Sequence, residues 1–252
     1  MPIALAISPH LDDAAFSAGG TLARLAAGGW QVVMVTVFTA SVANPRGFAL
    51  ACQLDKGLSA ETDYMALRRG EDRNAAAALG IDAPIHLPFR EAPHRGYGSA
   101  PELFAELRED DTVGANLADA FERLVADTEP DLILAPQAVG GHVDHRQVVR
   151  AFRAAQAPLP VLWWRDFPYT VRDAAPKEPL RALFEGLPEQ GVRLDATAQA
   201  RKAAACEAYT SQLGFQFGGP EGLRQRLAAE DGIEGFRLQG RLPAGFPDAG
   251  PA

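Results

Sequence analysis

Apolar and polar positions along this chain follow two different periods. Residues 3–8 (IALAIS) form an unbroken apolar run of strand length, the pattern of a strand buried on both faces. The run stops at Pro9-His10. From about Asp13 the apolar positions Ala15, Ala18, Leu22 and Leu25 recur at spacings of three and four. That is a helical period, and Gly28-Gly29 ends it. The β-branched run 30–38 (WQVVMVTVF) predicts the next buried strand. After a polar, irregular stretch over about 40–60, the pattern predicts a helix over 61–79 closed by Gly80 and a short strand over 84–88 (PIHLP). A loop rich in Pro, Gly and charge follows over 90–103, long enough to reach a substrate. Helix is expected over 112–128 and 142–157, and strand over 131–136 (DLILAP) and 161–164 (VLWW). The last third is less regular, with helices expected over 196–213 and 221–229 and a fraying tail over 243–252.

Strands separated by helices build βαβ units. The expected fold is therefore α/β, a mainly parallel sheet with helices on both faces and an irregular C-terminal third. Neither a repeat nor a linker interrupts the pattern, so residues 1–252 are expected to form a single domain. In open sheets of this kind ligands bind beyond the carboxyl ends of the strands, where strand order reverses. Residues immediately following strands are the ones to inspect.

Composition narrows the class. The 252 residues are 47% hydrophobic and 22% charged, ordinary for a soluble globular chain. A net charge of −8 argues against a nucleic-acid partner, which needs a basic face. The two cysteines, Cys52 and Cys206, form no CxxC; this excludes a disulfide framework and fits a reduced cytosolic compartment. No run of 18 apolar residues is present to span a membrane, and the first residues lack the basic segment of a secretory signal. A cytoplasmic location is expected.

Two post-strand segments carry chemistry. In Ser8-Pro9-His10-Leu11-Asp12-Asp13, His10 and Asp13 stand three apart on a turn entering a helix, with Asp12 between them. Taken alone, these could be a strand-end histidine and a capping aspartate. In Gly140-Gly141-His142-Val143-Asp144-His145, two histidines at i, i+3 share one helix face. Alone, this could be a surface HxxH. Together the segments place three of the five histidines at the ends of two strands that βαβ topology brings into one crevice. His10, Asp13 and one histidine of the second pair would supply two nitrogens and a carboxylate oxygen, a set suited to catalytic zinc with an open position for water. A neighbouring carboxylate could take a proton from that water, and the remaining histidine could stabilise an oxyanion. These parts describe metal-assisted hydrolysis of an amide or ester.

The paired motifs HLDD and HVDH resemble those of the PIG-L/LmbE-type zinc deacetylases, which remove acetyl groups from N-acetylglucosamine-containing conjugates and have a Rossmann-like fold. The resemblance covers about residues 3–215. It implies His10, Asp13 and His145 as zinc ligands, Asp12 as general base, and His142 as the oxyanion-stabilising partner. Asp144 would orient a histidine. Arg68, in the segment Arg68-Arg69-Gly70-Glu71, is similar to a family arginine that reaches substrate. Lys202 with Tyr209-Thr210-Ser211-Gln212, and Asp166-Phe167-Pro168-Tyr169, resemble further family segments. Leu11, Ala14 and Val143 depart from the family's proline, acid and proline, and Gly140 stands where some members carry a tyrosine.

The implied activity is metal-dependent removal of an acetyl group from an N-acetylated amino sugar or its conjugate. Ferrous iron accepts the same donors as zinc. The alternatives are a zinc amidase acting on a larger N-acyl group, separated by loops 90–100 and 163–170, and a sugar-binding relative without turnover. The expected partner is a small-molecule N-acetyl amino sugar conjugate, and a homo-oligomer is left open. Trp163-Trp164 at a strand end reads as core packing as readily as sugar stacking. His86 reads as a packed or edge histidine, and His94 as a solvated loop residue.

Overall fold

The computed structural model describes residues 1–155 and 159–247. In chain order the elements are β1 (Ile3–Ser8), α1 (Asp13–Ala27), β2 (Gln31–Thr36), α2 (Gly47–Leu54), α3 (Tyr64–Leu79) and β3 (Ile85–His86). Then come α4 (Val113–Thr128), β4 (Leu132–Pro136), α5 (Val143–Ala154), β5 (Val161–Trp164) and α6 (Tyr169–Arg172). The chain continues through β6 (Glu189–Arg193), α7 (Ala196–Glu207), α8 (Thr210–Phe217), α9 (Pro220–Ala228) and β7 (Ile233–Gln239). Short 3-10 turns sit at Ala92–His94, Pro101–Phe104 and Arg181–Leu183. No helix among the described residues is long and apolar enough to cross a membrane.

Seven strands form one sheet in the order β3-β2-β1-β4-β5-β7-β6. The first five run parallel, with β1 paired to β2 from Ile3↔Gln31 to Ser8↔Thr36 and to β4 from Ala4↔Leu132 to Ala6↔Leu134. Strand β7 joins β5 antiparallel and β6 joins β7 antiparallel, an edge that the mainly parallel pattern did not contain. Period-two alternation sorts the strand residues onto two faces. Ala4 and Ala6 pack with α1, α3 and α7 on one side, and Leu5 and Ile7 with Leu117, Phe121 and Phe152 of α4 and α5 on the other. Trp163 and Trp164, both fully buried, divide in the same way, so neither is presented as a sugar-stacking platform.

Local chemistry sets most element ends. The Asp63 side chain accepts from the Ala66 N–H and caps α3, a contact worth about 1 kcal/mol. Gly80 closes the same helix in the left-handed region. Gly20 lies within α1 because a Cβ there would collide with Leu194, so its absence lets the β6–α7 corner close on the helix. The helix expected over 196–213 is two helices, α7 and α8. It breaks at Tyr209, whose hydroxyl donates to Asp72 Oδ1 at 2.6 Å, while Glu71 Oε1 accepts the Ser211 N–H at 2.8 Å. The helix expected over 142–157 is described to Ala154, and its last expected turn lies partly outside the described residues. So do residues 248–252 of the expected fraying tail. Before them, the Gly245 carbonyl accepts the Trp30 indole N–H at 3.1 Å and Phe246 packs on the core.

Candidate active site

Strand order reverses between β1 and β4, because the chain proceeds from β1 to β2 and β3 on one side and to β4 and β5 on the other. The segments after these two strands therefore face each other. Ser8 clamps the β1–α1 turn: its hydroxyl donates to the His10 carbonyl at 2.7 Å and accepts the Ala14 N–H at 3.0 Å. Asp12 occupies the N-cap position of α1 yet makes no side-chain cap bond. Its carboxylate turns into the crevice instead. Oδ2 accepts from Gln216 Nε2 at 2.9 Å, and Oδ1 lies 3.3 Å from Arg68 Nη2.

His10, Asp13 and His145 converge. Asp13 Oδ2 is 3.3 Å from His10 Nδ1 and 3.2 Å from His145 Nε2. Donors held about 2.0–2.1 Å from zinc at tetrahedral angles stand roughly 3.3 Å apart, so this spacing suits a common ion. The other nitrogen of each imidazole is occupied by a carboxylate, Asp144 Oδ2 at 2.9 Å from His10 Nε2 and Asp166 Oδ1 at 2.8 Å from His145 Nδ1. Each carboxylate fixes an N–H on its own side, so the nitrogen facing Asp13 is the one that would offer a lone pair to an ion on losing its proton, the arrangement that orients histidine ligands. Asp144 is itself held by the Ala92 N–H at 3.1 Å and by Arg95 Nη2 at 2.7 Å.

His142 is nearby but differently engaged. One nitrogen from each of His10, His142 and His145 lies within 4.8 Å of the others, so three histidines could also surround an ion. However, His142 Nδ1 accepts the Asp144 N–H at 3.2 Å as the cap of α5. That bond assigns the tautomer with hydrogen on Nε2, a donor directed away from the cap and not a lone pair. The donor set His10, Asp13 and His145 fits a metal better, and His142 is arranged to donate.

The charges respond to this geometry. Burial alone would lower His10, but its hydrogen bonds and charge contacts with Asp13 and Asp144 outweigh burial and hold it up at about 9. Burial, reinforced by His10 and His145 against the pull of Asp144, pushes His142 down to about 3, so it is neutral. Asp13 stays well below the usual carboxylate range because the His145 and His10 charges overcome its burial. Asp12 is pushed up to about 6 by burial, against Arg68 and with Asp13.

The remaining expected residues find varied places. Arg68 lines the cavity, but its terminal nitrogens are taken by Glu91 Oε1 at 2.8 Å, the Leu11 carbonyl at 3.1 Å and Asp12. His94, expected as a solvated loop residue, lines the cavity too. His86 bonds Asp72 at 2.9 Å. A Cβ on Gly140, at φ +90, would collide with the Tyr169 ring, which lies 6.3 Å from that of His145 between centroids. Asp166, Arg95, Gln216 and Tyr169 are site neighbours that carried no role in the sequence. Asp166 could have been found, since it follows β5 as closely as His10 follows β1.

A crevice at a strand-order reversal, lined by three histidines that could surround an ion and by buried aspartates, marks this as an α/β protein with its candidate site where open sheets bind ligands. The chain belongs to the PIG-L family, described as GlcNAc-PI de-N-acetylase, whose pattern it matches over residues 5–156. It is 35% identical over 177 residues to a 2'-N-acetylparomamine deacetylase of Streptomyces fradiae, covering 69% of this chain and 60% of that protein. It is 32% identical over 206 residues to a 1D-myo-inositol 2-acetamido-2-deoxy-alpha-D-glucopyranoside deacetylase of Saccharopolyspora erythraea, covering 74% and 64%. The matches thus span less than two thirds of the length of these curated relatives. Among solved structures, the zinc-inhibited form of a teicoplanin deacetylase superposes with a TM-score of 0.78 at 27% identity, covering 94% of this chain and 96% of that one. A deacetylase–teicoplanin complex gives 0.75 at 26%, covering 94% and 98%.

Proposed function

We propose that this protein is a metal-dependent N-deacetylase that hydrolyses the acetamide of an N-acetylated amino sugar or its conjugate. One observation carries the reading: His10 and His145 each have one nitrogen held by a carboxylate while the other shares Asp13 Oδ2. His10, Asp13 and His145 would hold the metal, with Asp144 and Asp166 orienting the two imidazoles. Zinc or ferrous iron bound there would polarise the amide carbonyl and acidify the attacking water. Asp12 takes a proton from that water as its oxygen bonds to the carbonyl carbon, and the proton passes to the amine as the C–N bond breaks. The His142 Nε2–H donates to the carbonyl oxygen as negative charge develops on it. Arg68 and Gln216 hold the Asp12 carboxylate from either side, so Arg68 acts on the substrate through the base.

The test pairs metal content with acetate release. Purified protein should hold near one equivalent of zinc or iron and release acetate from N-acetylglucosaminides, and His145→Ala should lose both. A chain that takes up neither metal and releases no acetate from any N-acetyl sugar would overturn the reading.

A further inference from the structure

Helix α2 is built inside out. Its sequence GFALACQL is apolar except for Gln53, yet Gln53 is its only buried residue. The Gln53 amide donates to the Ser59 and Thr62 carbonyls and so pins the helix to the following loop. Among the described residues, none of the α2 side chains joins the apolar clusters packed against the sheet. Phe48, Ala49 and Cys52, at i, i+1 and i+4, instead lie on one helical face and line the cavity that holds His10, Asp12 and His145. Val42 and Pro45 extend this wall, and Phe215 of α8 belongs to the same lining. Phe215 remains 63% exposed, with Lys56 Nζ over its ring at 4.6 Å. The cavity is about 370 Å³, and beside Asp55 and Lys56 this part of its lining is apolar surface that the protein core leaves uncovered.

We propose that this wall is a subsite for an apolar aglycone, an aromatic or alkyl group attached to the amino sugar whose acetamide lies at the metal-ligand cluster. The inference rests on the deacetylase reading for the position of the amide. The wall is continuous with the candidate active site, so its occupant is part of the same molecule that carries the scissile bond. With acetyl as the acyl group, the apolar part belongs to the amine side. Burial of such a group against Phe48 and Phe215 adds binding energy that a simple amino sugar lacks.

The experiment compares phenyl and methyl N-acetyl-β-glucosaminides on the metal-loaded protein, beside a series with lengthened N-acyl chains. Calorimetry with phenyl and methyl β-glucosides, which carry no amide, supplies a binding readout without turnover. The phenyl glycoside should be favoured by about ten- to hundredfold in kcat/KM. Phe48→Ala and Phe215→Ser should each pull that ratio toward one, and the exposed position of Phe215 makes its variant the safer one for folding. Equal rates for both glycosides would overturn the subsite and leave the deacetylase reading standing. A preference that follows acyl length would overturn the aglycone assignment. If neither glycoside is deacetylated, the functional reading is decided by the metal and acetate-release test above. Calorimetry then decides the wall: tighter binding of the phenyl glucoside supports it, and equal binding overturns it.

Discussion

Helix α1 touches two buried ionic clusters, and they are built on opposite principles. At its middle, Glu234 accepts the Gly20 and Thr21 N–H groups at 2.9 and 2.8 Å and the Thr21 hydroxyl at 2.6 Å. Lys202 reaches the same carboxylate at 2.9 Å and Glu230 at 2.6 Å. Every partner there is an acceptor meeting a donor, so the cluster closes on itself. At the N-terminal end of α1, His10 Nδ1, His145 Nε2 and Asp13 Oδ2 face one another with their outer atoms already taken by Asp144 and Asp166. Three acceptors aimed at one point repel unless a cation stands between them. Protons fill that role on His10 and His145, whose imidazolium forms are favoured despite burial. The difference separates a cluster closed by a lysine ammonium from one in which two imidazoles share a single carboxylate oxygen.

The sharpest way to break this contrast is to remove chemistry while sparing the ion. Asp12→Asn should lower kcat for acetate release by about 10²- to 10⁴-fold. The variant should retain its metal, because Asp12 contacts Arg68 and Gln216 and not the facing lone pairs. Metal analysis beside a rate measurement checks both halves. Metal lost together with activity would make Asp12 part of the donor set.

The closed cluster should respond in the opposite sense. Lys202→Met leaves Glu234 and Glu230 without their cation at a position where the lysine side chain is 3% exposed. Breaking one partner of a buried pair costs about 3–5 kcal/mol, so denaturant titration should show a clear loss of stability. Activity per folded molecule should persist. An inactive but fully stable variant would mean that the two clusters are not separable as described. Asp166→Ala is a smaller perturbation: it frees His145 Nδ1 and should weaken metal binding by about 10- to 100-fold in a chelator competition. Unchanged affinity would remove Asp166 from the metal site.

Legibility in the sequence followed how local each feature is. Strands β1 and β4 announce themselves as continuous apolar runs, and the residues that follow them need only the rule that sites form at strand ends. His10, Asp12, Asp13, His142 and His145 were singled out in this way, and the structure brings them to the lining of one cavity. Gln216 was not, because it reaches Asp12 from 204 residues away and lies beyond the Tyr209-Thr210-Ser211-Gln212 segment that marks the start of its helix. Helix α2 escaped because it presents no polar outer face; its apolar residues have no core to mark them. Strands β6 and β7 read as irregular because EQGVR and IEGFRLQ carry glycine and charge, and β6 finds its partner only after three helices have intervened. The break at Tyr209 depends on Asp72, far away in sequence. Local pattern left the roles of the two histidines of HVDH open, and the roles proposed for them come from the resemblance.

The smallest test probes the closed cluster by pH, away from the candidate metal site. Two carboxylates share one ammonium there. Burial and the neighbouring Glu234 push Glu230 up to about 7, against the pull of Lys202, whose own ammonium form is strengthened by both acids. A carboxyl whose pKa is higher in the folded state than in the unfolded chain binds its proton more tightly when folded. Its stabilising contribution is complete below the ordinary glutamate value near 4.5 and is lost as pH rises through about 7. Wild-type stability should therefore decline across that window, and Glu230→Gln, which cannot ionise, should flatten the decline. Denaturation midpoints at pH 4.5, 6 and 8 on both proteins read this directly. An identical slope in the variant would mean that Glu230 does not hold its proton more tightly in the folded protein than in the unfolded chain, and the decline would then come from other groups.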